Sequence, residues 1–130
     1  MRAALSKAGL AAEQISYINA HATSTPGGDQ SEVAALRNVF SGYLPDIPVS
    51  STKSATGHLL GAAGGVETIF SILATRDDTL PPTLNLDQPD QEFSDLNLVP
   101  NQSIRQEVQH ALCNGLGFGG VNAALIVSKA

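Results

Sequence analysis

Ser50-Ser51-Thr52-Lys53-Ser54-Ala55-Thr56-Gly57-His58-Leu59-Leu60-Gly61-Ala62-Ala63-Gly64-Gly65 is the stretch on which the reading of this chain turns. It follows Ile47-Pro48-Val49, so a short β-rich run passes into small polar residues and then into glycine and alanine. Beyond it, Val66, Ile69, Phe70 and Leu73 recur at helical spacing. The stretch is therefore the turn between a strand and a helix that starts near His58 or Gly61 and runs to about Arg76. The first half of that helix carries almost no side-chain volume. Glycine costs a helix up to about 1 kcal/mol per position against alanine, so close packing of another helix or backbone is expected to offset it.

The same unit occurs upstream. Ile15-Ser16-Tyr17-Ile18-Asn19-Ala20 predicts a strand, His21 to Gly28 a turn, and Asp29 with Glu32 three positions later a capping-box-like helix start. That helix runs to about Phe40, with Val33, Leu36 and Phe40 on one face. Arg2 to Ala8 reads as the end of a helix stopped by Gly9, so the chain begins inside an element. Downstream, Thr79 to Asp95 is extended, punctuated by Pro81, Pro82 and Pro89, and expected to be ordered by packing rather than by its own hydrogen bonds. Leu96 to Val99 is a short strand. His110–Asn114 and Val121–Ser128 are strands around the loop Gly115-Leu116-Gly117-Phe118-Gly119-Gly120. The order β-α-β-α-β-β predicts an α/β fold with a mixed sheet, its parallel strands first and an antiparallel pair last. No linker or repeat interrupts it, so residues 1–130 are expected to form a single domain.

Bulk composition excludes several functions. Seven Lys and Arg are scattered through 130 residues and the net charge is −5, which argues against nucleic acid as the main partner. No apolar run reaches the roughly 20 residues that span a bilayer, and no signal-peptide pattern opens the chain. Charged residues make up 15%, low for a self-sufficient surface, which hints that something else covers part of it. Cys113 is the only cysteine, so no internal disulfide can form, and a reducing compartment, the cytoplasm, is the default.

Two histidines at strand ends stand out. His21 precedes Thr23, Ser24 and Thr25, whose hydroxyls can donate to and accept from an amide-rich ligand arm; the alternative is that they only cap the next helix. His58, beside Gly57 at a helix start, faces a dipole that disfavours the imidazolium. A neutral ring can donate one N–H to a developing oxyanion. Lys53 pushes the same way unless it is a solvated loop lysine. Glu67 lies on the apolar-faced helix and, if buried, needs a cation, for which Lys53 is the candidate. Phe118, between glycines, can swing or plug the core. Cys113 and His110 read as structural. The glycine cluster is no phosphate- or dinucleotide-binding motif, and the three histidines have no zinc-like spacing.

His21-Ala22-Thr23-Ser24-Thr25-Pro26, Lys53 to Gly64 and Asn114 to Asn122 resemble three ordered motifs of the β-ketoacyl-[acyl-carrier-protein] synthases, types I and II: H-G-T-S-T-P, K-S-x-x-G-H-x-x-G-A-A-G and N-x-x-G-F-G-G-x-N. The resemblance covers essentially the whole chain, is closest to the type II synthases, and implies the C-terminal portion of a thiolase-like fold. It implies an acyltransferase of fatty acid biosynthesis that extends an acyl chain with malonyl-acyl carrier protein, the substrates riding on phosphopantetheine and no cofactor bound. By the same resemblance, His21 and His58 stabilise the enolate, Lys53 and Glu67 form a buried pair organising His58, Thr23 and Thr25 contact the phosphopantetheine arm, and Phe118 gates two pockets. No metal is implied beyond weak monovalent-cation candidates at Asn19 and Glu67. The nucleophilic cysteine lies in the family's preceding half, so acyl carrier protein, the missing N-terminal half and a second copy in a homodimer are the implied partners, with no nucleic acid and no membrane. The isolated chain is expected to be inactive. Two departures are Ala22 for a glycine, which would strain a turn that needs positive φ, and Gly115 for a serine, which would loosen the loop before Phe118. The rival readings are a non-catalytic half-fold that assembles or binds carrier protein, and part of a polyketide synthase condensing domain.

Overall fold

The computed structural model describes residues 1–130. Its centre is a five-stranded sheet of β1 (Tyr17–Asn19), β2 (Pro48–Ser50), β4 (Asn97–Leu98), β6 (His110–Leu116) and β7 (Asn122–Ser128). The strand order is β4-β2-β1-β6-β7. All neighbours are parallel except β6 and β7, which pair antiparallel from His110 with Ser128 to Leu116 with Asn122. The expected mixed α/β sheet is thus present.

Side-chain alternation assigns the two faces, because successive residues of a strand point to opposite sides. Ile18, Val49 and Leu112 join a ten-residue cluster with Leu5 of α1 (Arg2–Ala8) and Leu36 and Phe40 of α2 (Pro26–Phe40). Tyr17 and Ala111 belong to a second cluster with Ala74 of α4 (Ala63–Asp77), Leu80, Val99 and Val108. Phe40, Ile18 and Leu112 are fully buried, each worth about 1.5–3 kcal/mol of apolar transfer.

Several boundaries depart from the sequence reading. Helix α2 starts at Pro26 with Thr25 as its N-cap, so Asp29 lies inside the first turn and caps nothing. Proline is at home there, since its missing N–H is one that a helix start leaves unpaired anyway. Residues 53–56 form a one-turn helix, α3 (Lys53–Thr56), instead of a loop. His58 lies beyond Gly57, the C-cap of α3, and just before Leu59, the N-cap of a 3-10 turn (Leu60–Ala62) that runs straight into α4, so it stands one residue outside the helix start. The extended segment does carry specific hydrogen bonds: Thr83 N–H donates to Val99 O at 2.8 Å, Leu84 N–H to Ser54 Oγ at 2.8 Å and Ser51 N–H to Thr83 Oγ1 at 2.9 Å. Its start, β3 (Thr79–Leu80), pairs antiparallel with β5 (Ile104–Arg105), a small second sheet.

Gly115 sits in strand β6 opposite Ala123, so it loosens no loop. The left-handed residue of the first turn is Ser24, with φ 61°, and Ala22 is not in that region, so its substitution strains nothing. Ala63 and Glu67 turn the inner face of the start of α4 into the protein, but its glycine side is open: beyond the helix's own backbone and chain neighbours, no atom lies within 4 Å of where a Cβ would stand on Gly61, Gly64 or Gly65. Ile69 and Ile72 on the same helix are exposed too. No helix is long and apolar enough to cross a membrane.

Candidate functional site

The parallel order of β1 and β2 brings the His21 turn and the Lys53–His58 segment to the same end of the sheet, beyond the strands' C-termini. The rings of His21 and His58 meet edge to face, centroids 5.4 Å apart with an interplanar angle of 88°. Leu60 N–H donates to His58 Nδ1 at 3.3 Å. A ring that accepts at Nδ1 carries its proton on Nε2 and is neutral. The expected donor thus has a local hydrogen bond behind it. Leu60 adopts φ 51° to make this contact and is exposed. Left-handed leucine is strained backbone, and such strain gathers at functional sites.

His21 is held through its backbone. Its N–H donates to Glu32 Oε1 at 2.9 Å and that of Ala22 to Glu32 Oε2 at 2.8 Å. Asn114 Nδ2 adds a third bond to Oε1 at 3.1 Å. Glu32 is buried with no cationic partner, so these three N–H groups are what satisfies its charge. The carboxylate ties the His21 turn, α2 and the end of β6 together. Glu32 was legible only as a helix-cap residue, and Asn114 only as a motif letter. Partial burial, then Lys53, then His58 hold the His21 imidazole below its ordinary pKa. It too is neutral near pH 7.

Lys53 and Glu67 form an ion pair with both side chains buried, which removes the reading of Lys53 as a solvated loop residue. Glu67 O accepts from Asn19 Nδ2 at 3.3 Å and from Ser71 Oγ at 2.9 Å. Thr52 Oγ1 donates to Asn19 Oδ1 at 3.3 Å. Asn19 therefore turns its amide donor, not an oxygen, toward Glu67, and its oxygen is already engaged. No cluster of three His, Cys, Asp or Glu gathers anywhere in the chain.

Thr23 and Thr25 hydroxyls lie 3.1 Å from each other, and Thr25 makes no side-chain bond to the helix it precedes. Capping is therefore not their task. A Cβ on Gly28 would run into Thr25 Oγ1, so glycine keeps that hydroxyl in place. Phe118 is fully exposed, which excludes a core plug. Its loop is pinched at the base, where Gly117 N–H donates to Val121 O at 2.9 Å. A Cβ on Gly117 would strike that same oxygen.

Cys113 is buried, and burial followed by the Glu67 charge pushes its thiol pKa up. That is the opposite of nucleophile activation. His110 Nδ1 is 2.9 Å from Ser128 Oγ, at the far end of β6.

Residues 1–87 match the family model described as Beta-ketoacyl synthase, C-terminal domain. The chain is 48% identical over 129 residues to 3-oxoacyl-[acyl-carrier-protein] synthase 2 of Coxiella burnetii, covering 99% of this chain and 31% of that protein. The synthase of the same name in Staphylococcus aureus is also 48% identical, with the same coverage. The chain thus spans about a third of the length of these relatives. Among solved structures, a beta-ketoacyl synthase from Burkholderia phymatum superposes with a TM-score of 0.93 at 35% identity, over 100% of this chain and 31% of that one. A type II PKS ketosynthase, in complex with its acyl-carrier protein and bound to the hexaketide, superposes with 0.94 at 32% identity, over 99% of this chain and 31% of that one. The fold is the thiolase-like fold of ketosynthases.

Proposed function

Because the chain belongs to the beta-ketoacyl synthase C-terminal domain family, we propose that it supplies the decarboxylating half-site of a fatty-acid condensing enzyme acting in the cytoplasm. The substrate is a malonyl thioester on the phosphopantetheine of acyl carrier protein. Loss of CO2 leaves the electron pair of the broken C–C bond as an enolate on the thioester oxygen. His21 and His58 donate N–H to that oxygen. The enolate carbon then attacks an acyl thioester, and the thiolate that held the acyl group leaves. One such donor typically contributes about 3–4 kcal/mol in the transition state.

The observation that carries this reading is the pair of facing imidazoles with His58 Nδ1 occupied. Two neutral rings serve an anion as donors, whereas a base for a nucleophile needs one close by, and the only thiol is buried in mid-strand. Lys53 and Glu67 act as a positioning pair. Thr23 and Thr25 meet the pantetheine arm, and Phe118 gates access. The nucleophilic cysteine belongs to the remaining length of a longer protein. That segment would cover apolar side chains such as Leu60, Ile69, Phe118 and Val121, which stand 75%, 57%, 103% and 76% exposed. Strands from both 1–87 and 88–130 share one sheet, which supports 1–130 as one domain. The superposition on a polyketide ketosynthase keeps a polyketide condensing domain as a second reading.

The test mixes the chain with a cysteine-bearing N-terminal segment of a relative and follows malonyl-carrier decarboxylation. The chain alone should transfer no acyl group, the mixture should decarboxylate, and His21→Ala should abolish it. An isolated chain that forms and turns over an acyl-Cys113 thioester overturns the proposal. Carrier binding without decarboxylation in the mixture identifies a non-catalytic module instead.

A further inference from the structure

Two segments bring one imidazole each, and the strand ladder beneath them stops short of both. Its last backbone bond is Ala20 N–H to Ser50 O at 2.8 Å. His21 follows at once, whereas His58 stands on the far side of α3. Between residues 21–28 and residues 51–62 one hydrogen bond crosses: Ser51 Oγ–H donates to Ala22 O at 3.1 Å.

Ser51 is buried, and each of its polar groups is engaged. Its N–H donates to Thr83 Oγ1 at 2.9 Å, and its carbonyl accepts from Ser54 Oγ–H at 2.8 Å. Thr83 is fixed in turn, since its N–H donates to Val99 O and its carbonyl accepts from Asn101 N–H, both at 2.8 Å. The hydroxyl of Ser51 thus projects from a held backbone. Ala22 is gripped at both ends, its N–H by Glu32 Oε2 at 2.8 Å and its carbonyl by Ser51. Glu32 ties the His21 turn to α2 and β6, and none of its bonds reaches the His58 segment. The link between the two rings' supports is left to Ser51.

We infer that Ser51 is a positioning residue: through Ala22 it sets how the His21 ring stands against the His58 ring. It bonds to neither imidazole. Two donors that must converge on one enolate oxygen tolerate little displacement, and a shift of about 1 Å can cost about 100-fold in rate. This role in catalysis rests on the condensing reading; the placement of the rings does not.

The experiment compares Ser51→Ala, Thr83→Val and Thr83→Ser with the parent. Imidazole proton signals are followed by NMR in the chain alone, because in an edge-to-face pair each ring shifts the signals of the other. The kcat and KM of malonyl-carrier decarboxylation are measured in the mixture with the N-terminal segment. Ser51→Ala should displace the His21 and His58 signals and weaken the ring-to-ring nuclear Overhauser effect. It should lower kcat about 10- to 100-fold with KM within about twofold of the parent. Thr83→Val, which frees the Ser51 N–H, should move both readouts the same way and takes the place of Ser51→Ala if that variant does not fold. Thr83→Ser keeps the hydroxyl and should restore both. Unmoved imidazole signals in folded Ser51→Ala, an effect on KM alone, or equal losses in Thr83→Ser and Thr83→Val overturn the role. A parent mixture that does not decarboxylate defeats the condensing reading instead, and the imidazole signals of Ser51→Ala then decide the placement of the rings by themselves.

Discussion

Replacing Glu32 by alanine removes the acceptor for three N–H groups at once: those of His21 and Ala22, and the side-chain amide of Asn114. Hydrogen bonds to a charged group each contribute about 1.5–3 kcal/mol, and a buried donor left alone costs about 1–3 kcal/mol. The three are coupled and share one carboxylate, so their sum is an upper limit, and water entering the hole recovers part. A loss of about 3–5 kcal/mol is expected, a large share of the roughly 5–15 kcal/mol that holds a domain folded. Glu32→Gln keeps the shape but sets an NH2 against one backbone N–H, so about 2–3 kcal/mol should go. Urea unfolding of the chain measures both. The imidazole signals of His21 in the Gln variant, with the chain still folded, report whether the turn has moved. In the mixture described above, decarboxylation should fall while carrier binding persists. If Glu32→Ala is within 0.5 kcal/mol of the parent by urea unfolding and His21 does not shift, the carboxylate does not hold the turn.

Two further outcomes follow from the site. Lys53→Ala or Glu67→Ala alone should cost about 3–5 kcal/mol by leaving a buried charge, whereas Lys53→Met with Glu67→Leu should come back near the parent value; equal losses in single and double variants would show that the pair is not the unit. His21 has a folded-state pKa below its ordinary value of 6.5, so below pH 6.5 the unfolded chain binds more protons. The stability contribution is present above that pH and lost as pH falls from 6.5 through the lower folded value. Urea midpoints against pH should show this slope, His21→Gln should remove it, and an NMR titration midpoint at or above 6.5 would contradict it.

The strand-turn-helix units and the antiparallel pair were legible because each rests on local periodicity and on residues that only turns tolerate. Both histidines were legible for the same reason, since a turn at a strand end is a local feature. What was not legible depends on distance. Asp29 and Glu32 spell a capping box, yet the helix starts three residues earlier at Pro26, and Glu32 is free to reach two amides ten and eleven residues earlier. The pairing of Thr79 with Arg105 joins two-residue strands too short to show a period. At His58 the sequence showed the nearby helix start but not the contact closest to the ring, the Leu60 N–H that donates to Nδ1. The glycine run suggested a packing neighbour, and in this chain that surface is open.

Strand β7 ends the sheet. Its seven residues, Asn122–Ser128, contain no charge and no proline, and its partner β6 pairs with only one of its two edges. The other edge offers a row of amide and carbonyl groups with none of the devices that proteins use to blunt an exposed strand. Handled by itself, the chain therefore carries a built-in template for cross-strand growth between molecules. Its solubility is set by that edge as well as by its net charge, and a lysine placed at Leu125 would raise the concentration at which light scattering begins.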